Sequence, residues 1–439
     1  MNIGLVAPYP PQNSVHSQQS GEAWYSKKLA GSLNRENLKV AVFANRLGNT
    51  ASKYDDSGVN VDRCWDFGFK SWFQICSAVL KKRKELDILH VQFAIFLFGG
   101  FSSVVVFPVF LLLMKFVGLK VVITFHQTIP LSNINKKFED ETGIRGNQAL
   151  LKKGLYTFVK MLVALTDTTI VHEPFFKEVL VRDYRTKSDK IKIVHLGVDE
   201  VEVRTDPKLA RIMLGIPESK PVVLFFGYLA KYKGLENLID ALVSGPQSDY
   251  VLLVAGGEHP RMRKKKEYSD YLAMLHEKAA RAPDRVRFTG FVPEHQLPFI
   301  FAAADVVVLP YTRAISSSGP LSLCVAYNKP FLASESLKEI INEPAIMFPN
   351  TAEGIGKIIN SFINDDFLKE RARLYSLSLL HDRRWENVAL KTAQIYNKIA
   401  QSYGVVDKPE PSIPVMDFVS FEESSVFDEL FSSRPPKNI

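Results

Sequence analysis

The densest chemistry in the sequence lies in VVLFFGYLAKYKGLENLIDAL, residues 222–242. A short apolar run ends at Phe226, and Gly227, Tyr228, Lys231, Lys233 and Gly234 follow it. Leu235, Leu238, Ile239 and Leu242 then recur at helical spacing. A glycine just past a strand lets a ligand approach the backbone, and two lysines beside it can neutralise a diphosphate. The same residues also suit an ordinary strand–turn–helix joint with solvated lysines, and the segment alone does not choose between these readings.

Other candidates are spread along the chain. Ser316, Ser317, Ser318, Gly319, Pro320 and Leu321 lead into a helix, where hydroxyls and backbone N–H groups serve either a phosphate or sugar, or plain N-capping. Gln18, Gln19, Ser20 and Gly21 precede a helix carrying Trp24, Leu29 and Leu33. His126 and Gln127 follow one expected strand, and His172-Glu173 follow another. His90 and Gln92 read equally as strand packing or loop-positioning groups, and His195 as a hinge or packing residue. No Asp/His/Cys cluster has metal-ligand spacing, and GxSxG, GxxxxGK[ST] and HExxH are absent, which removes serine hydrolases, P-loop NTPases and zincins. Three scattered cysteines exclude a disulfide framework and fit a reducing compartment.

These groups need a scaffold. Expected strands are Ile3–Val6, Val40–Phe43, Ile88–Val91, Val121–Phe125, Thr169–Val171 and Ile191–Val194, then Val222–Phe226, Val251–Ala255, Val286–Phe288, Val306–Leu309, Phe331–Ala333 and Ile346–Phe348. Amphipathic stretches alternate with these continuous apolar runs, the pattern of parallel sheets covered on both faces. The fold class is α/β, with two doubly wound Rossmann-like domains facing a cleft. Residues 1–198 form the first and 220–385 the second, joined by a linker at 199–219. A helix at 386–406 is expected to pack back on the first domain, and 407–439 is an acidic Pro/Ser-rich tail. The 439 residues suit two cores better than one. The first residues read as a strand with no secretory signal, and the apolar stretch 101–117, with Pro108 and Lys115, is too short to span a bilayer.

Charge is lopsided. Residues 1–200 hold 26 Lys and Arg against 18 Asp and Glu, while 201–439 are balanced. With the apolar 101–117 and 150–165 segments and Lys115, Lys120, Lys136, Lys137, Lys152 and Lys153, this suggests an anionic membrane surface on the first half. The competing reading is buried helices and ordinary solubilising charge. The basic runs 81–90 and 261–271 sit in no nucleic-acid reading module, so nucleic acid is not expected.

In order, residues 222–242, LLVAGGE (252–258) and RVRFTGFVPEHQLPFIFAAADVVVLPY (285–311) resemble the retaining glycosyltransferases of family 4, which have the GT-B fold. Residues 86–101 and 121–128 are similar to two further segments of that family. The resemblance implies a nucleoside-diphosphate-sugar donor, Lys233 and Lys231 on its diphosphate, and Gly227, Tyr228 and Gly234 in the donor loop. It implies backbone at Gly290, Phe291 and Val292 against the base, and His126 reaching the donor sugar. Gln19, Ser20, Gly21, Gln92, Gln127, His172 and Glu173 would line the acceptor side or cleft.

Two departures stand out. Tyr228 replaces a common arginine, and alignment on Lys329-Pro330 puts Ile315 and Leu323 where relatives carry two glutamates. The Ser316–Leu321 turn is the expected substitute. The expected activity is a metal-independent, retaining sugar transfer to a hydroxyl acceptor without a cofactor, in a cytoplasmic protein peripheral to the membrane. Its alternatives are a catalytically silent GT-B homologue acting as a binding or scaffold subunit, and a phosphorylase or epimerase.

Overall fold

A computed structural model describes residues 1–12, 21–48, 50–95, 97–135, 146–202, 204–245, 249–259, 262–263, 265–313 and 318–402. Gln18, Gln19, Ser20, Ile315, Ser316, Ser317, Lys136, Lys137 and the 407–439 tail lie outside the described residues.

The chain forms two parallel-sheet α/β domains. Among the described residues the first sheet has eight strands: β1 (Asn2–Val6), β2 (Lys39–Asn45), β3 (Lys53–Asp56), β4 (Val59–Trp65), β5 (Ile88–Phe93), β6 (Lys120–Phe125), β7 (Thr168–Val171) and β8 (Ile191–Ile193). They lie in the order β3-β4-β2-β1-β5-β6-β7-β8. The second has six: β9 (Val222–Phe226), β10 (Val251–Ala255), β11 (Val286–Gly290), β12 (Val306–Leu309), β13 (Phe331–Ser334) and β14 (Met347–Phe348), ordered β11-β10-β9-β12-β13-β14. Among the described residues only β3 and β4 pair antiparallel. Every strand expected from the sequence is present, with ends shifted by at most two residues.

The β3–β4 hairpin was not expected. Its two-residue turn places both Ser57 (φ 57°) and Gly58 (φ 89°) at positive φ, the geometry that suits tight hairpins. β4 alternates inward and outward, but one of its inward residues is Arg63, which breaks the apolar pattern. That buried guanidinium donates to the carbonyls of Tyr9, Asn45 and Pro10, so burial leaves its terminal N–H groups paired.

Helices α1 (Gly21–Arg35), α2 (Ser71–Lys82), α3 (Phe101–Phe116), α4 (Gln148–Leu165) and α5 (Pro174–Arg182) accompany the first sheet. The second is accompanied by α6 (Pro207–Met213), α7 (Leu235–Ser244), α8 (Lys266–Ala279), α9 (Leu297–Ala303), α10 (Gly319–Ala326), α11 (Ala352–Asn364) and α12 (Asp366–Arg383). The last helix among the described residues is α13 (Trp385–Gln401). On one face of the first sheet, α2 to α5 bury Trp72, Phe107, Leu162 and Phe176 against Leu89 and Val91. On the other, α1 and α13 bury Leu29, Val388 and Tyr396 against Ile3, Leu5 and Val122. The apolar 101–117 segment is therefore a surface-layer helix, and no helix among the described residues is long and apolar enough to cross a membrane.

The chain crosses between the sheets twice, and the crossings are tied together. Val198 N–H donates to the Arg383 carbonyl at 2.7 Å, and the Trp385 ring lies over Gly197, leaving no room there for a Cβ. The Arg383 guanidinium reaches across to Glu173 at the end of β7, with contacts of 3.0 and 3.1 Å, and both side chains are buried. Removing one partner leaves an uncompensated buried charge. Arg383→Met is expected to lower unfolding stability by about 3–5 kcal/mol, and the double variant Glu173→Met/Arg383→Met to recover most of that loss. Urea denaturation of the three proteins reads both numbers.

Candidate functional site

Gly227 leaves β9 where the strand order reverses, between β10 and β12, the place where open α/β sheets leave a crevice. Its φ of 109° excludes most side chains, and a Cβ there would lie 2.5 Å from Lys233 Nζ and 3.1 Å from Pro320. The glycine, the lysine and the start of α10 thus converge on one spot.

Lys231–Lys233 form a single 3-10 turn closed by Lys233 N–H on Ala230 O at 2.9 Å. Gly234 ends it in the left-handed region (φ 67°, ψ 27°), and any Cβ there would collide with the Pro310 carbonyl. The turn points Lys233 inward. It is only 6% exposed, and no carboxylate pairs with it among the described residues. Burial pushes its ammonium pKa down to about 8. Lys231 is exposed on the same turn and also lacks an ion pair there.

The other donor-side candidates among the described residues lie on the start of α10 and the end of β11. Ser318 is buried and caps α10 by accepting Leu321 N–H at 3.2 Å, with the Tyr311 hydroxyl 3.0 Å away. Gly319 is exposed at the helix start, and Leu321 is buried in the core. Leu323 packs against that core as well, so its helix face offers no polar group in place of the family's glutamate. Gly290 (φ 71°) ends β11, Phe291 is 48% exposed and Val292 is buried. Phe291 lies so close to Gly257 that a Cβ there would come within 2.9 Å of it, and its ring stacks with Tyr228 at 6.3 Å. An aromatic surface therefore borders the cationic loop.

In the first domain the histidines are joined end to end. His172 Nδ1 lies 2.9 Å from the Val194 carbonyl, and His172 Nε2 lies 3.2 Å from His126 Nδ1. The Gln92 amide lies 2.8 Å from His126 Nε2 and 3.2 Å from His90 Nε2. His90 Nδ1 meets the Tyr396 hydroxyl at 2.6 Å. Burial foremost, and then a neighbouring imidazole, push all three histidines down to about 3, so they are neutral.

Neutrality fixes the protons. The Val194 carbonyl can only accept, so His172 carries its hydrogen on Nδ1 and accepts on Nε2. His126 must then donate from Nδ1 and accept at Nε2, which requires turning over the Gln92 amide, whose Oε1 is placed on His126 and whose Nε2 is placed on His90, so that its NH₂ group faces His126. The opposite amide orientation would set two acceptors against each other or charge a buried ring. With the amide so turned, each contact pairs one donor with one acceptor.

Several expectations are corrected by this geometry. Both ring nitrogens of His126 are taken, and Tyr25 packs edge-on at 4.9 Å, so no nitrogen is spare for a donor sugar. His172 and Gln92 are equally committed and fully buried. Glu173 does not line an open cleft. Burial opposes its ionisation, yet the hydrogen bond from His195 and the Arg383 charge hold its carboxyl below the usual range. Gln127 is half-buried beside a small apolar pocket with Phe93, Ile95 and Phe158. Gly21 is the exposed first residue of α1.

Sequence reasoning missed Arg383, Tyr396, Tyr311 and Asn350, whose amide donates to the Pro310 and Tyr311 carbonyls beside Gly234. Tyr396 meets His90 across 306 residues, and no local pattern reports such a contact. A separate concavity of about 520 Å³ lies beside α1, lined by Trp24, Lys27, Lys28, Asp199, Arg384 and Trp385. Three of its four cations are paired with carboxylates, Lys27 with Asp56, Lys28 with Asp199 and Arg384 with Glu200, and the fourth, Arg35, donates to the Ser32 hydroxyl. That distinguishes it from the Lys233 site. Among the described residues no group of three or more His, Cys, Asp or Glu could hold a metal ion.

Residues 208–376 match the family Glycosyl transferases group 1, and residues 20–202 match Glycosyltransferase Family 4. An uncharacterized glycosyltransferase of Methanocaldococcus jannaschii is 25% identical over 51% of this chain and 58% of its own length. A D-inositol 3-phosphate glycosyltransferase of Streptomyces coelicolor is 27% identical over 55% of this chain and 57% of its own. The chain thus spans little more than half the length of these curated relatives. Among solved structures, sucrose-phosphate synthase from Thermosynechococcus elongatus superposes with TM-score 0.67 at 20% identity, covering 91% of this chain and 99% of that one. Anabaena HepE in complex with UDP gives 0.65 at 16%, covering 91% and 100%. These likenesses show the GT-B fold.

A lysine whose folded pKa lies below its unfolded value costs stability while charged. The cost is fully present below about pH 8 and is relieved as pH rises toward the unfolded value. Lys233→Met is therefore expected to stabilise the unliganded protein, by on the order of 1–3 kcal/mol near neutral pH, with the gain shrinking in alkali. Denaturation midpoints across pH check the sign.

Proposed function

We propose that this chain, which belongs to the group 1 glycosyl transferases of glycosyltransferase family 4, moves a sugar from a nucleoside-diphosphate sugar to an acceptor hydroxyl with retention of configuration. The observation that carries this reading is Lys233, a buried cation without a carboxylate partner among the described residues, aimed at Gly227 beside the start of α10.

The donor diphosphate would lie over Gly227, where the missing Cβ admits its oxygens, with Lys233 beneath and Lys231 at the rim. Charge grows on the diphosphate as the C1–oxygen bond breaks, and a fixed ammonium in a dry site stabilises that charge most. Gly290, Phe291 and Val292 would take the base, with the Phe291 and Tyr228 rings as its apolar border. The exposed Gly319 N–H, on the turn that Ser318 caps, would hold the distal phosphate or the sugar.

Retention is proposed from the family resemblance, by a front-face route that uses no enzyme nucleophile. Glu173, held by Arg383, is not free to act as one. The acceptor oxygen would bond C1 on the face the diphosphate leaves, and the acceptor proton would pass to the departing phosphate oxygen. His126, with Gln92 and His172, acts as a positioning residue that stiffens the first-domain wall. Lysines and helix-end N–H groups would meet the diphosphate charge without a metal ion.

The test is incubation of the full chain with UDP- and GDP-sugars, reading thermal shift and slow donor hydrolysis. A nucleotide-dependent shift and hydrolysis insensitive to EDTA are expected, with Lys233→Ala lowering hydrolysis by about a hundredfold or more. If no nucleotide shifts the melting temperature, or if Lys233→Ala turns over like the wild type, the reading fails.

A further inference from the structure

A helix in a surface layer normally turns a polar face to water. α3 does not. Its inward face buries Phe107, Phe110, Leu111 and Met114, yet Val105, Val109, Leu112 and Leu113 on the outward face are 56%, 64%, 57% and 38% exposed, and Phe116 is 86% exposed. Positions 105, 109, 112, 113 and 116 form one stripe along the helix. α2 and α4 flank α3 and pack on it. They extend the apolar surface with Phe73 (58% exposed), whose ring lies 5.5 Å from that of the exposed Phe69, and with Leu150 (69%) and Met161 (40%).

The charge on this layer has one sign. The stretches 67–84, 101–120 and 148–165 hold ten Lys and Arg and no Asp or Glu. Lys70, Lys81, Arg83, Lys84, Lys115, Lys153 and Lys160 are exposed. Acids border the first stretch: Asp66 before it is paired with Arg46 at 2.6 Å, and of the exposed Glu85 and Asp87 after it, Asp87 accepts Asn2 N–H at 2.7 Å.

We propose that the outer face of α2, α3 and α4 docks on an anionic bilayer. The apolar stripe enters the boundary between headgroups and acyl chains, and the lysines stay at headgroup level on their aliphatic stems. A second copy of this chain fits poorly, since a twofold contact would set two wholly cationic faces against each other. α3, with 16 residues and Lys115 in its last turn, lies on the bilayer and does not cross it. The docking stands apart from the transferase reading and is tested without any sugar donor.

The experiment is co-sedimentation of the full chain with vesicles of phosphatidylcholine alone and of phosphatidylcholine mixed equally with phosphatidylglycerol. Binding to the mixed vesicles only is expected, weakened when salt rises from about 0.1 M to about 1 M and the screening length falls from about 10 Å to about 3 Å. The double variant Leu112→Asp/Phe116→Asp changes exposed side chains, so it is expected to keep its circular-dichroism melt and lose binding at least about tenfold. Three results would overturn the proposal. One is equal binding, or none, on both vesicle types. Another is a folded double variant that binds like the wild type. The third is a dimer in ultracentrifugation that this variant splits, which would assign the face to a second copy.

Discussion

A buried ammonium with no carboxylate partner is the constraint around which the second domain is arranged. Desolvation disfavours the charge, and nothing among the described residues compensates for it. The backbone nevertheless holds Lys233 in place. A 3-10 turn aims it, Gly234 takes the left-handed conformation that closes that turn, and Asn350 braces the carbonyls against which Gly234 packs. Gly227 gives up its side chain so that the ammonium stands open toward the sheet's crevice. Such strain and desolvation persist where a ligand of opposite charge is to be met.

The first domain is the contrast. Its buried polar groups close on themselves: Tyr396, His90, Gln92, His126 and His172 run in a chain of paired donors and acceptors that ends on the Val194 carbonyl. Glu173, Arg383 and His195 form a second closed set that links the two chain crossings to β7. A satisfied network of this kind stiffens a wall and does not bind by itself. The division of labour follows: one domain offers an unmet charge, and the other offers a rigid surface at the carboxyl ends of its strands.

Much of this was legible in the sequence, because strands and glycine turns are local. Continuous apolar runs located the strands, and the spacing of Gly227, Lys233 and Gly234 marked the loop that carries the cation. The hairpin at residues 53–65 escaped because Arg63 sits at an inward position where an apolar residue would be read, and only distant carbonyls justify it. His126 was legible as a residue at a strand end, but not as a residue with both nitrogens spoken for. The partners that settle its role come from β5, β7 and, through His90, the last helix. The outward apolar stripe of α3 was visible as hydrophobicity, yet only burial separates the inner face from the outer one.

The central claim is that Lys233 in its ammonium form holds a diphosphate. Calorimetric titration of UDP and GDP into the wild-type protein and into Lys233→Met across pH measures this most directly. For the wild type the account predicts binding that weakens once pH rises above about 8, by about tenfold per unit as the ammonium is lost, and for Lys233→Met only weak binding without that dependence. Equal affinity in the two proteins, or wild-type affinity indifferent to pH across that range, would contradict it.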